Sequence, residues 1–271
     1  MVKQSRPNLC RYVLELFVLS NIAFLALDVF MAHSINHFHH PSEWIPFYFS
    51  ILASVALIFS AALGPDGVVR PYGKWAGYLV GWCAIVIGVA GLYYHLASQF
   101  FQVFSISSLV YTAPFIAPLA YAGLGFLLIL NRMAPPEDLA WSQWVIFFSM
   151  GGFLGNFVLT LCDHAQNGFF HISEWLPVIT SAFAVGFLAP CVFGRVKLPF
   201  LIVTGAVIFL QIGVGMLGFY FHAIADLYGY SDSLVKNFIY GAPVFAPMLF
   251  ADLAVLSFIG FWNYLAQIDS P

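Results

Sequence analysis

Eight apolar runs constrain this chain more than any other feature. They cover about 12–32, 45–64, 75–97, 108–130, 143–162, 175–194, 198–221 and 238–261. Each holds roughly the 20 apolar residues needed to cross a hydrocarbon core about 30 Å thick. No water is present there to satisfy backbone N–H and C=O groups, so each run must close its hydrogen bonds within itself as a helix. A membrane barrel would show shorter segments of alternating polarity, and the sequence lacks them. Charged residues fill 8% of the 271 positions, against about a quarter in soluble domains. The expected fold class is an all-α polytopic membrane protein with eight transmembrane helices and a lipid bilayer around it. A net charge of −3 gives nucleic acid nothing to bind.

Lys3, Arg6 and Arg11 precede the first run, as they would in a signal peptide. His33 at the end of that run has a counterpart in the second half of the chain, so we read the run as a retained helix. Counting cations sets the orientation. With the N-terminus inside, Lys3, Arg6, Arg11, Arg70, Lys74, Arg132, Arg195 and Lys197 face the cytoplasm, and Lys236 alone faces outward. This satisfies the positive-inside rule and makes both termini cytoplasmic, in what reads as a bacterial inner membrane. Cys10, Cys83, Cys162 and Cys191 are scattered and form no CxxC pair, so no disulfide framework is expected.

The chain repeats itself. "FHHPSEWIP" at 38–46 returns as "FFHISEWLP" at 169–177, an offset of 131 that pairs His33 with His164, His40 with His171 and Glu43 with Glu174. "GVAGLYYH" at 88–95 matches "GMLGFYFH" at 215–222, and "YTAPFIAP" at 111–118 matches "YGAPVFAP" at 240–247. Three blocks in one order on corresponding runs indicate tandem four-helix units, 1–135 and 136–271. Four is even, so both units enter the membrane from the same side. A pseudo-twofold axis along the membrane normal should relate them.

All eight histidines fall at the extracytoplasmic ends of the runs. Six form repeat-equivalent pairs: His33/His164, His40/His171 and His95/His222. With Glu43 or Glu174 nearby, each unit offers three imidazoles and a carboxylate. Neutral imidazole is the commonest metal ligand, and this set suits iron, zinc or manganese, or copper in two equivalent sites. His37 and His39 have no counterparts and read as solvated.

Plainer roles compete with ligation. Ser42 and Ser173 can cap the second and sixth helices. Glu43 and Glu174 then suit the positive end of the helix dipole, while Trp44 and Trp175 fit an interfacial belt. Gly77, Gly81, Ala84, Gly88, Gly91 and His95 share one face of the third helix. Such a face permits close helix packing. Alternatively, it accommodates haem b, with His95 and His222 as axial ligands. If the third and seventh helices meet at the axis, His95 and His222 approach and form one dinuclear centre. The A-P-x-x-A-P blocks start the fourth and eighth helices beside the same face and can line a cavity. Tyr93, Tyr111, Tyr220 and Tyr240 border that region, and Asp163 stands ready to orient His164. Asp28 and Asp252 are intramembrane acids, candidates for carrying protons or ions.

The leading expectation is a membrane metalloprotein, redox-active through copper or non-haem iron, acting alone or as one subunit of a larger membrane oxidoreductase. A b-type haem electron carrier working with quinol is the first alternative. A metal-ion transporter using Asp28 or Asp252 is the second.

Overall fold

The computed structural model describes residues 5–229 and 231–268. Lys3 and the two chain ends lie outside the described residues. Within them the chain is entirely helical: α1 (Ser5–Ser34), α2 (Trp44–Ala61), α3 (Pro65–Val69), α4 (Pro71–Ser98), α5 (Ile106–Tyr111), α6 (Leu119–Met133), α7 (Leu139–Gln166), α8 (Trp175–Phe193), α9 (Leu198–Leu227), α10 (Leu234–Tyr240) and α11 (Met248–Ile268). Seven of these, α1, α2, α4, α7, α8, α9 and α11, are long and apolar enough to cross a membrane. The protein is therefore a multi-pass helical membrane protein.

The fourth expected run departs from the sequence reading. It divides into α5, a non-helical stretch, and an α6 of only 15 residues. Pro114 and Pro118 cause the break, because each lacks an N–H and disfavours helix in the residue before it. Pro243 and Pro247 likewise separate α10 from α11, which retains 21 residues. Even so, α6 packs along α4 from Gly91 to Gly77. Its start lies against Gly91 near the histidines, where Pro118 is packed. At its far end Asn131 donates to the Arg11 carbonyl, 3.0 Å away.

Small residues set the closest helix contact, between α4 and α6. A Cβ on Gly81 would come 2.9 Å from the Gly125 carbonyl oxygen, and one on Gly88 would come 2.7 Å from the Ala122 backbone nitrogen. The second half repeats this between α9 and α11: a Cβ on Gly215 would meet the Pro247 oxygen at 2.9 Å. The glycine face is thus covered by a neighbouring helix, with no slot left along it for a flat macrocycle.

One buried cluster gathers Leu14, Ile22, Leu57 and Leu128 around Trp141, and a second gathers Phe153, Leu188 and Ile208. The halves meet where α1 touches α11 and α6 touches α7. Asn21 donates to Asp252 Oδ1 across that seam, 3.0 Å away. Asp252 therefore serves the junction between the halves. Outward-facing positions are apolar, as at Leu52, Leu79 and Phe209, where lipid would lie.

A buried ion pair closes the end opposite the histidines. Glu15 is fully buried. Arg132 Nη1 donates to Glu15 Oε2 at 2.8 Å, and Nη2 donates to Oε1 at 2.6 Å. The guanidinium also donates from Nε to the Gly73 carbonyl, 3.1 Å away. Gly77 leaves the room this requires, since any Cβ there would collide with the guanidinium. The start of α1 and the end of α11 lie side by side at this level: the Cys10 thiol points at Asn263 Oδ1, 3.7 Å away.

Candidate functional site

Each half builds a corner after its first long helix. The Phe38 N–H closes on the His33 carbonyl at 3.0 Å, and the Phe169 N–H closes on the His164 carbonyl at 3.0 Å. These are left-handed helix endings of the kind glycine favours. The left-handed pair is His37 (φ 57) and Phe38 (φ 51) in one corner, and Gly168 (φ 71) and Phe169 (φ 52) in the other. Non-glycine residues rarely adopt this conformation. Stacking offsets the strain: Phe38 lies on Trp44 at 3.9 Å, and Phe169 lies on Trp175 at 4.0 Å.

A single 3-10 turn follows in each corner, Pro41–Glu43 or Ile172–Glu174. The sequence reading gave the capping role to Ser42 and Ser173, but the N-caps are His40 and His171. The Ser42 N–H donates to His40 Nδ1 at 3.3 Å. The glutamates complete the box from the other side. Glu43 Oε1 accepts from the His40 N–H at 3.3 Å and from Asn36 at 3.1 Å, and Glu174 Oε1 accepts from the His171 N–H at 3.3 Å. Both capping histidines are exposed.

The second oxygen of each glutamate faces an imidazole. Glu43 Oε2 lies 3.3 Å from His33 Nδ1, and Glu174 Oε2 lies 3.4 Å from His164 Nδ1. Both oxygens are buried, and neither contact has the alignment of a hydrogen bond. The third element of each corner comes from α4 or α9. His95 Nδ1 lies 2.8 Å from the Pro114 carbonyl, and His222 Nδ1 lies 3.0 Å from the Pro243 carbonyl. A carbonyl only accepts, so Nδ1 carries the proton in both rings. In the neutral imidazole Nε2 then keeps a free lone pair. The proline blocks therefore fix the tautomer of the histidines.

Distances show what is assembled. The His33 and His95 rings are 6.2 Å apart, centre to centre, and His95 also feels the Glu43 charge. His164 is an electrostatic neighbour of both Glu174 and His222. His33, Glu43 and His95 thus gather in one corner, and His164, Glu174 and His222 gather in the other. Among the described residues no three His, Cys, Asp or Glu side chains are grouped tightly enough to hold an ion between them. The conditional meeting of His95 and His222 lacks its helix pairing, because α4 packs on α6 and α9 packs on α11. Tyr93, Tyr111, Tyr220 and Tyr240 are all more than half exposed and turn outward.

The second corner opens onto a cavity of about 750 Å³. Asp163, His164, His171, Glu174 and His222 border it, as does Asn156, which lies deeper in α7. Sequence reasoning missed Asn156 and the Glu15–Arg132 pair. Nothing in a single chain's pattern joins positions 15 and 132, although two opposite charges inside apolar runs are a usable signal. No protein-family model, curated protein or solved structure matches this chain.

Proposed function

We propose that this chain is a redox-active membrane metalloprotein. It binds copper or non-haem iron at its extracytoplasmic face through His33, His95 and Glu43, and again through His164, His222 and Glu174. The observation that carries this reading is the paired tautomer lock. His95 and His222 each spend their Nδ1 proton on a proline carbonyl, which is how ligating histidines are held while Nε2 faces the metal. In each corner a buried carboxylate oxygen without a hydrogen bond faces the other imidazole, Glu43 Oε2 that of His33 and Glu174 Oε2 that of His164, a pair that a cation between them would satisfy. Two imidazoles and one carboxylate form the usual protein complement of non-haem iron. With metal–nitrogen bonds of about 2.0–2.1 Å, two ligating rings have centres about 5–6 Å apart. The 6.2 Å between His33 and His95 therefore needs little closure. His40 and His171 act as caps in this scheme.

The haem b reading, with His95 and His222 as ligands, draws on the same free Nε2 atoms, but α6 covers the glycine face that would have received the macrocycle. Elemental analysis of the purified full chain, with its optical and electron paramagnetic resonance spectra, separates these readings. We expect two copper or iron ions per chain and no intense Soret band. A strong Soret band moves the assignment to haem, and protein purified without copper, iron or haem overturns both readings.

The architecture belongs to the same proposal: eight crossings in two tandem units, related by a pseudo-twofold axis and with both termini cytoplasmic. An even number of crossings accounts for Cys10 lying beside Asn263. It makes α6 and the stretch before it the fourth crossing. Two corners with one set of turns, caps and carbonyl contacts support the tandem relation. A cysteine at Asp232 should react with an impermeant maleimide in intact cells, whereas one at Asp138 should react only after lysis. The reverse pattern would invert the orientation.

A further inference from the structure

We propose that the cavity of the second corner is a binding site for a lipid-soluble hydroquinone, one that selects the reduced diol over the quinone. This deepens the redox reading by naming the substrate class of that same corner, and the binding itself stands on the cavity alone. The volume of about 750 Å³ falls within the range of small-molecule sites, roughly 300–1,000 Å³. Its depth is apolar, with Leu159, Leu217 and Phe250 among its walls, which suits a methylated ring and an isoprenoid tail.

The polar wall decides the oxidation state. Glu174 Oε2 is buried, with His164 Nδ1 3.4 Å away but no aligned hydrogen bond, Asp163 borders the same space, and His222 Nε2 is left as an acceptor by the bond its Nδ1 makes. Without an ion all three need donors; with the ion on Glu174 and His222, Asp163 remains the acceptor that needs one. A hydroquinone brings two O–H groups. A quinone brings only carbonyl oxygens, which would face carboxylates and leave the acceptors unmet. One donor answers from deeper in the site: the Asn156 amide nitrogen has no partner, in a side chain only 7% exposed. It can serve a ring oxygen in either redox state. Leaving one buried acceptor unpaired weakens binding roughly ten-fold or more.

The halves differ here in a way that fits divided labour. Where the cavity has Leu159 and Phe250, the repeat-equivalent positions of the first half are Asp28 and Tyr121. Tyr121 is buried, with its hydroxyl 2.6 Å from Ser50 Oγ. Asp163 has only Ala32 as its counterpart. The first half thus carries its carboxylate one helical turn deeper, at Asp28, and has none at the position of Asp163.

The test is anaerobic equilibrium binding of duroquinol and duroquinone to the full chain in lipid nanodiscs, before and after removal of metal by chelation. Duroquinol should bind one per chain, at least ten-fold tighter than duroquinone, in both preparations. Asp163→Asn should weaken duroquinol ten-fold or more in both preparations, Glu174→Gln should do so after chelation, and Leu159→Trp should abolish binding by filling the cavity. Equal affinity for the two redox states on the unaltered chain overturns the proposal, as does full-strength binding to Leu159→Trp. Metal-free protein that still selects the diol upholds this site even if the metal reading fails. Metal-loaded protein that ignores the diol has the opposite meaning.

Discussion

Arg132→Leu should cost about 3–5 kcal/mol of stability, the largest effect of any single substitution at the end of the bundle away from the histidines. Glu15 is fully buried, and both of its oxygens accept a hydrogen bond from the guanidinium. Removing the arginine leaves a buried carboxylate with one remaining hydrogen-bond donor among the described residues, Asn131 at 3.4 Å. A buried charge without its partner is far more costly than no charge at all. The second half supplies the control. Positions equivalent to Glu15 and Arg132 hold Ile146 and Phe261, both buried in one apolar cluster. Converting the first half to that solution, Glu15→Ile with Arg132→Phe, should recover most of the loss. Thermal unfolding in mild detergent reads both outcomes. A double variant no more stable than Arg132→Leu would show that the pair is not the source of the cost.

His95→Phe should remove one of the two expected metal ions, His222→Phe the other, and the double variant both. Phenylalanine keeps the ring volume and deletes the nitrogen, so packing is preserved while a ligand disappears. The additive pattern follows from the geometry: the groups bordering each imidazole come from its own half, Glu43 and Pro114 for one corner, Glu174 and Pro243 for the other. Loss of both ions from either single variant would mean one shared dinuclear centre. Unchanged stoichiometry in all three would remove these histidines from the site. Glu43→Gln should act more mildly, lowering metal affinity about 10–100-fold if it orients His33 from outside the coordination sphere. Complete loss would make Glu43 a ligand. Inductively coupled plasma analysis of dialysed protein distinguishes these results.

The apolar runs made most of the helices legible, because lipid leaves the backbone few alternatives. The broken fourth run was less so. Pro114 and Pro118 are plain in the sequence, but many membrane helices absorb a proline as a kink. Only the packing of α6 against α4 shows that the chain here abandons helix altogether. At the site, the repeats singled out residues that the fold gathers in matching corners, His33, Glu43 and His95 in one and His164, Glu174 and His222 in the other, since duplication marks positions without any knowledge of contacts. They did not reveal direction. His40 and His171 repeat as faithfully as His95 and His222, yet one pair caps a turn and the other is aimed by proline carbonyls. Capping is a local backbone matter, whereas His95 meets Pro114 across a loop, and single-chain spacing carries no orientation. The haem-sized smooth face on α4 proved to be the seat of α6. A row of glycines marks close approach without saying what approaches.

The internal completeness of each corner has a consequence for biogenesis. Every group gathered at the first corner lies between positions 33 and 114. On the metal reading, a ribosome that has released this much chain into the membrane would have delivered the whole ligand set of the first corner, with more than half the polypeptide still to be made. Loading would then proceed in sequence, one ion per half, and a nascent chain stalled midway would bind the first.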